Sequence, residues 1–240
     1  MTTEPLPVPV PDTAAAELES RTFLRLPLTP AQVELVHVTY AAWERTLTGP
    51  LRKTLPGNRH RPIGFLPLQP AFTAEMKDSY YYRRGVRLPQ ALCDQTDALI
   101  ALLAPVARKI GEQIAARGGP RLLRRTDRGC LRVMRYPPFE GDIDSAMVRQ
   151  RAQRGTPRSP AHKDLNALTI LAPASLPGLQ IEGPDGWAEV HDAGNELIVH
   201  TGQEMEDRSG RRWPATVHRV RNPEPGDPQL ARMSCAYFVS

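Results

Sequence analysis

The strongest constraint on the fold is a change of texture near residue 129. Before it, apolar residues recur at helical spacing; after it, the chain breaks into short β-type runs separated by turn signals. Seven such runs follow one another, at 130–135, 167–171, 178–182, 187–190, 196–200, 215–220 and 232–239, with no helical pattern between them. Strands that do not alternate with helices pair antiparallel, because a parallel pair needs a crossover of roughly a dozen residues or more. The pattern predicts a mainly β protein with flanking helices, an antiparallel sandwich or barrel, and disfavours a doubly wound parallel sheet. Residues 1–129 read as a helical and β supporting region and 130–240 as the core, within one compact unit, as 240 residues allow.

The supporting region carries explicit stop and start signals. Residues 1–11, with Pro5, Pro7, Pro9 and Pro11, read as an extended arm, and 22–26 as a first strand. Thr29-Pro30-Ala31-Gln32 combines a Thr N-cap, a Pro at the first helical position and a Gln three residues after the cap, so a helix starts there; Gly49-Pro50 ends it. A second helix opens near Pro89, with Leu92, Leu99, Leu102, Val106, Ile110 and Ile114 on one stripe. Pro105 is expected to kink it, and Gly118-Gly119-Pro120 to stop it. Pro184-Asp185-Gly186 reads as a hairpin turn between two later strands.

Composition narrows the function classes. Hydrophobic residues at 40% against 24% charged fit a globular chain rather than a disordered one, and no apolar run reaches the roughly 18 residues of a membrane span. No basic patch followed by an apolar stretch opens the sequence, which reads as cytoplasmic. Three cysteines, Cys93, Cys130 and Cys235, lack the paired spacing of a disulfide framework or a thiolate zinc site. The net charge of +5 comes from arginine clusters at Arg121, Arg124, Arg125 and Arg128, at Arg149, Arg151, Arg154 and Arg158, and at Arg208, Arg211 and Arg212. No base-reading motif accompanies them, so they read as solvated surface, and the expected partner is a small molecule, with an anionic one suiting the charge, rather than nucleic acid.

The chemistry-bearing residues lie among the strands. Of six histidines, His37, His60, His162, His191, His200 and His218, one stands two residues before a carboxylate, in His162-Lys163-Asp164. On extended backbone, positions i and i+2 share a face, so His162 and Asp164 can converge on one ion while Lys163 turns away. His218 lies on a second run that a facing sheet could bring opposite the pair. Two imidazoles and one carboxylate leave three octahedral positions open, the arrangement that suits non-haem Fe(II).

Read together, "LRVMRYPP" (131–138), "AHKDLNALTIL" (161–171), "GLQIEGPDGWAEV" (178–190), "ELIVHTGQEMEDRSGRRWPATVHRVRNP" (196–223) and "ARMSCAYF" (231–238) resemble the isopenicillin N synthase-like group of 2-oxoglutarate- and Fe(II)-dependent dioxygenases; "RPIGFLPL" and "EMKDSYYYRRG" resemble its N-terminal region more weakly. The resemblance implies a double-stranded β-helix, or jelly-roll, core. It implies His162, Asp164 and His218 as iron ligands, and Arg232, Ser234 and Tyr136 as the residues that hold the distal carboxylate of 2-oxoglutarate. The cofactors would be Fe(II), 2-oxoglutarate as co-substrate and O2. The activity implied is oxidation of an unactivated C–H bond of an amino acid, peptide or specialised metabolite, by hydroxylation, desaturation or cyclisation. An oxidase like isopenicillin N synthase itself, using no 2-oxoglutarate, and a non-catalytic jelly-roll sensor are the alternatives. Met134 stands where the family often has Asn, and 139–161 is longer than usual, polar and basic, which reads as a mobile surface insertion or, alternatively, a lid that reaches the substrate.

Overall fold

The computed structural model describes residues 7–55, 57–58, 63–68, 75–83, 86–122, 129–142, 144–153, 155–190, 194–224, 227 and 230–240. His60, His191, Arg124, Arg125, Arg128 and Arg154 lie outside them, as do residues 1–6 of the arm and parts of the two N-terminal segments quoted above.

Helix α1 (Ala14–Arg21) leads into strand β1 (Phe23–Pro27), and α2 (Pro30–Thr48) then starts where its cap predicts. The Thr29 hydroxyl accepts from the Gln32 backbone N–H, and the Gln32 side chain accepts from the Thr29 N–H at 2.8 Å, a reciprocal box that satisfies two otherwise orphaned donors. A 3-10 turn (Pro50–Thr54) and strands β2 (Gly57–Asn58), β3 (Ile63–Leu66) and β4 (Asp78–Tyr82) precede the long helix α3 (Gln90–Ala116), which continues through Pro105. Gly118 at φ 79° closes it, a left-handed conformation that glycine adopts without a Cβ penalty.

The second half supplies β5 (Cys130–Tyr136), α4 (Ser145–Gln153), β6 (Ser159–His162), β7 (Leu168–Ala172), β8 (Leu179–Gly183), β9 (Gly186–Glu189), β10 (Glu196–Thr201), α5 (Gln203–Arg208), β11 (His218–Val220) and β12 (Arg232–Val239). They form two antiparallel sheets, one of eight strands in the order β1-β10-β7-β12-β5-β4-β3-β2 and one of four in the order β6-β11-β8-β9. This is the expected jelly roll, with its large sheet extended by strands from the first half of the chain. The β8–β9 hairpin turns at Pro184-Asp185, as its sequence predicts, with Gly186 at φ 101°.

Three expectations need correction. The 139–161 stretch is not an unstructured insertion: it contains α4 and β6, and Val148 of α4 is buried against Leu68 and Met76. The second arginine cluster is not all surface, because Arg158 is buried, its Nη2 donating to Pro137 O and its guanidinium lying over the Phe139 ring. The 215–220 run is strand only over its last three residues.

Strand alternation assigns the two faces of the large sheet. Leu131 and Val133 of β5, with Met233, Cys235 and Tyr237 of β12, point to one side and join the main core with Trp43 of α2 and Leu99, Leu103 and Ile110 of α3. Trp43 is fully buried, packs 4.8 Å from Tyr80 ring to ring and donates its indole N–H to Thr96, so burial costs it no unmet hydrogen bond. The opposite residues, Arg132, Met134 and Tyr136 of β5 with Arg232, Ser234 and Ala236 of β12, line a cleft between the two sheets. Met134, Tyr136 and Ala236 pack there against Val220 of the small sheet. The helices stabilise one face of the large sheet, and the other face is free to carry a site.

Candidate metal centre

His162 ends β6 and His218 begins β11, and the two are directly paired across the small sheet, with ring centroids 4.3 Å apart. Asp164 follows two residues after His162, on the turn leading into β7. Its Oδ1 lies 3.7 Å from His162 Nε2 and 3.9 Å from His218 Nε2. The three ligand atoms fall within 4.8 Å of one another, so one ion can meet all of them. The structure thus brings together the three residues that the sequence singled out.

Each donor is oriented from behind. His162 Nδ1 lies 2.8 Å from Pro160 O and His218 Nδ1 lies 3.3 Å from Thr216 O, in both cases the carbonyl two residues upstream. With Nδ1–H donating there, each Nε2 carries the lone pair, the tautomer a metal ligand requires. Burial pushes the His218 imidazole down to about 3, so it is neutral at physiological pH. Burial would raise the Asp164 carboxyl, but the facing His200 and His218 rings and the Thr169 hydroxyl outweigh it and hold the carboxyl below its ordinary value.

The two oxygens of Asp164 have separate partners. While Oδ1 faces the two Nε2 atoms, Oδ2 accepts from the Thr169 hydroxyl at 2.7 Å and lies 3.6 Å from His200 Nε2. Thr169 and His200 are themselves register partners across β7 and β10. The turn that carries Asp164 is held by Gln203 N–H, which donates to Asp164 O at 2.7 Å. Gly202 permits that approach, since a Cβ there would stand 2.0 Å from Asn166 O and 2.8 Å from Asp164 O.

Further along the same cleft, Arg232 pairs with Tyr136 and Ser234 with Met134 across β12 and β5. The Arg232 guanidinium lies 5.3 Å over the Tyr136 ring, and its Nε donates to Leu176 O at 2.9 Å and Pro177 O at 3.1 Å. Two further buried cations stand here. Lys77 Nζ contacts Tyr136 Oη and Ser159 Oγ, each at 3.4 Å, and pairs with Glu75 at 2.7 Å. Arg158 is pushed down to about 10 by burial and by Arg232. A cleft this rich in buried cations is built for an anion.

Sequence reasoning missed Thr169, His200, Lys77 and the burial of Arg158. For His200 a signal existed: in the apolar run "ELIVHT" it shares a strand face with Ile198, two residues before it, which packs against Ile181 and Val190, and a polar residue at such a position needs a partner. Thr169, Lys77 and Arg158 gave none.

A jelly roll whose inter-sheet cleft carries a His-Asp-His triad defines a non-haem metal protein of the facial-triad class. Residues 128–240, a little under half of the chain, match the family model described as "2OG-Fe(II) oxygenase superfamily". Flavonol synthase 1 of Crocosmia x crocosmiiflora is 38% identical over 81 residues, covering 34% of this chain and 23% of that enzyme. Isopenicillin N synthase of Penicillium chrysogenum is 30% identical over 111 residues, covering 45% of this chain and 31% of that enzyme. The matched part thus spans about a quarter to a third of these curated relatives. Among solved structures, a candidate oxygenase of Shewanella oneidensis superposes with a TM-score of 0.78 at 26% identity, covering 95% of this chain and 85% of that one. No helix among the described residues is long and apolar enough to cross a membrane.

Proposed function

We propose that the protein is a 2-oxoglutarate- and Fe(II)-dependent dioxygenase that oxidises an unactivated C–H bond of a small molecule, with hydroxylation as the outcome. The observation that carries the reading is the convergence of two Nε2 atoms and Asp164 Oδ1 on one point, each fixed by a hydrogen bond on its far side. Two imidazoles and one carboxylate are the donor set that suits Fe(II) and leaves adjacent positions open. His162, Asp164 and His218 would hold the metal. Arg232 would take the distal carboxylate of 2-oxoglutarate as a charge-assisted pair, with the Ser234 and Tyr136 hydroxyls beside it. When bound, iron and 2-oxoglutarate supply the activation of O2, coupled to loss of CO2 and formation of succinate.

The chain's own contribution is orientation and exclusion of water. Met134, Leu171, Ile198, Val220 and Ala236 make the remaining cleft wall apolar, which strengthens the few polar contacts made within it. The relatives named for flavonol and isopenicillin N synthesis support a specialised metabolite, amino acid or peptide as substrate. Oxygen uptake by the Fe(II)-loaded protein should require 2-oxoglutarate and release one succinate per CO2. Uptake that is indifferent to 2-oxoglutarate would overturn the reading in favour of an oxidase.

A further inference from the structure

A second cavity of about 580 Å3 opens on the other side of the triad and shares His162, Asp164, Arg132 and Phe238 with the co-substrate cleft. Its volume is that of a small-molecule site. We infer that this cavity takes a substrate with an apolar body and a carboxylate, and that Arg132 receives the carboxylate. The inference rests on the reading of His162, Asp164 and His218 as the iron centre.

Arg132 and Tyr136 share the inward face of β5, four residues apart, so their backbones are separated by about 13 Å. Arg132 therefore stands at the opposite end of the inter-sheet space from Arg232, beyond the triad, where it cannot serve the same carboxylate. Its side chain is only 13% exposed, yet it is fixed with one edge outward. Nε and Nη2 donate to Ser79 Oγ at 3.1 and 3.0 Å, Nη2 also donates to Glu75 at 2.9 Å, and the guanidinium stacks 4.8 Å over the Tyr81 ring. Nη1 makes no hydrogen bond to a described residue, leaving two N–H groups for a ligand.

The other charges around the cavity are already matched. Glu75 is shared by Lys77 and Arg132, and Lys163 is paired with Glu206 at 2.9 Å. Arg83 lines the same cavity, forms no ion pair with a described residue and adds a second cation to its wall. Leu165, between Asp164 and Asn166, lines this cavity and is 85% exposed, a large apolar side chain left in solvent beside the metal centre. With Phe238 it offers an apolar surface for a substrate body, while the Nη1 N–H groups of Arg132 can donate charge-assisted hydrogen bonds to a carboxylate.

Phenylacetate and phenylacetamide have nearly the same shape and differ in charge. Their binding should be compared by ligand-observed NMR on the anaerobic Fe(II) protein saturated with 2-oxoglutarate, so that the Arg232 end is filled. Phenylacetate is expected to bind at least tenfold tighter than the amide. That preference should fall below threefold in Arg132→Gln and be partly retained in Arg132→Lys. Should Arg132→Gln not fold, Arg132→Lys carries the test by a loss of at least threefold. Equal binding of the two probes, or an undiminished preference in the variants, overturns the inference. The visible charge-transfer band of the same sample separates this failure from failure of the iron reading: a band without carboxylate preference sinks the Arg132 assignment alone, and a missing band sinks the iron centre.

Discussion

Thr169→Val isolates the orientation of Asp164 from the identity of the ligands. The substitution keeps the β-branched shape favoured at a central strand position and removes only the hydroxyl that donates to Asp164 Oδ2 at 2.7 Å. What remains on that oxygen is His200 Nε2 at 3.6 Å, too long for a hydrogen bond, so the carboxylate becomes free to turn about its last torsion. Asn166 Nδ2, which also donates to Thr169 Oγ1, keeps its bond to Leu168 O at 2.7 Å, so no second polar group is stranded. A hydrogen bond to a charged group is worth about 1.5–3 kcal/mol. Lost orientation behind a ligand should therefore weaken Fe(II) binding by about 10- to 100-fold. Anaerobic competition of the protein against a coloured ferrous chelator reads that change, with thermal unfolding of the metal-free protein as the control for folding. An affinity within about twofold of the wild type, in a folded variant, refutes the role given to Thr169.

Arg232→Lys retains a cation but not the guanidinium fork, so the KM for 2-oxoglutarate should rise by about tenfold or more while Fe(II) affinity stays near the wild-type value; an unchanged KM moves the co-substrate elsewhere. The charges of Lys77 and Arg132 hold the Glu75 carboxyl well below its ordinary value, against the upward push of burial. A carboxyl depressed in the folded state stabilises above its unfolded pKa, about 4.3, and loses that contribution as pH falls further. Denaturant unfolding should therefore show the wild type more stable than Glu75→Gln at pH 7, with the gap narrowing below about pH 4. A gap that is constant with pH contradicts the assignment.

What was legible in the sequence was local or periodic. The cap at Thr29 forms through bonds within four residues, and the alternation of β12 put Arg232 and Ser234 on one face whatever lay opposite. His162 and Asp164 were legible for the same reason, and the family resemblance added His218 and its partners. Elements held by distant contacts were not. Strand β4 opens with Asp78, whose burial is possible because Arg52 at 3.0 Å and the Leu68 N–H at 2.8 Å meet it from outside the strand. Helix α4 has no apolar stripe beyond Val148 and is positioned by its contact with Leu68 and Met76. Strand β6 has four residues, one of them Pro160, and is recognisable by its pairing with β11. Thr169 and His200 acquire a role at the site through the register of β7 and β10.

The central claim is that His162, Asp164 and His218 hold an iron to which 2-oxoglutarate binds. Adding 2-oxoglutarate anaerobically to the Fe(II)-loaded protein should give a weak visible metal-to-ligand charge-transfer band that is absent in Asp164→Ala. No band in the wild type while iron is bound, or an undiminished band in Asp164→Ala, would contradict it.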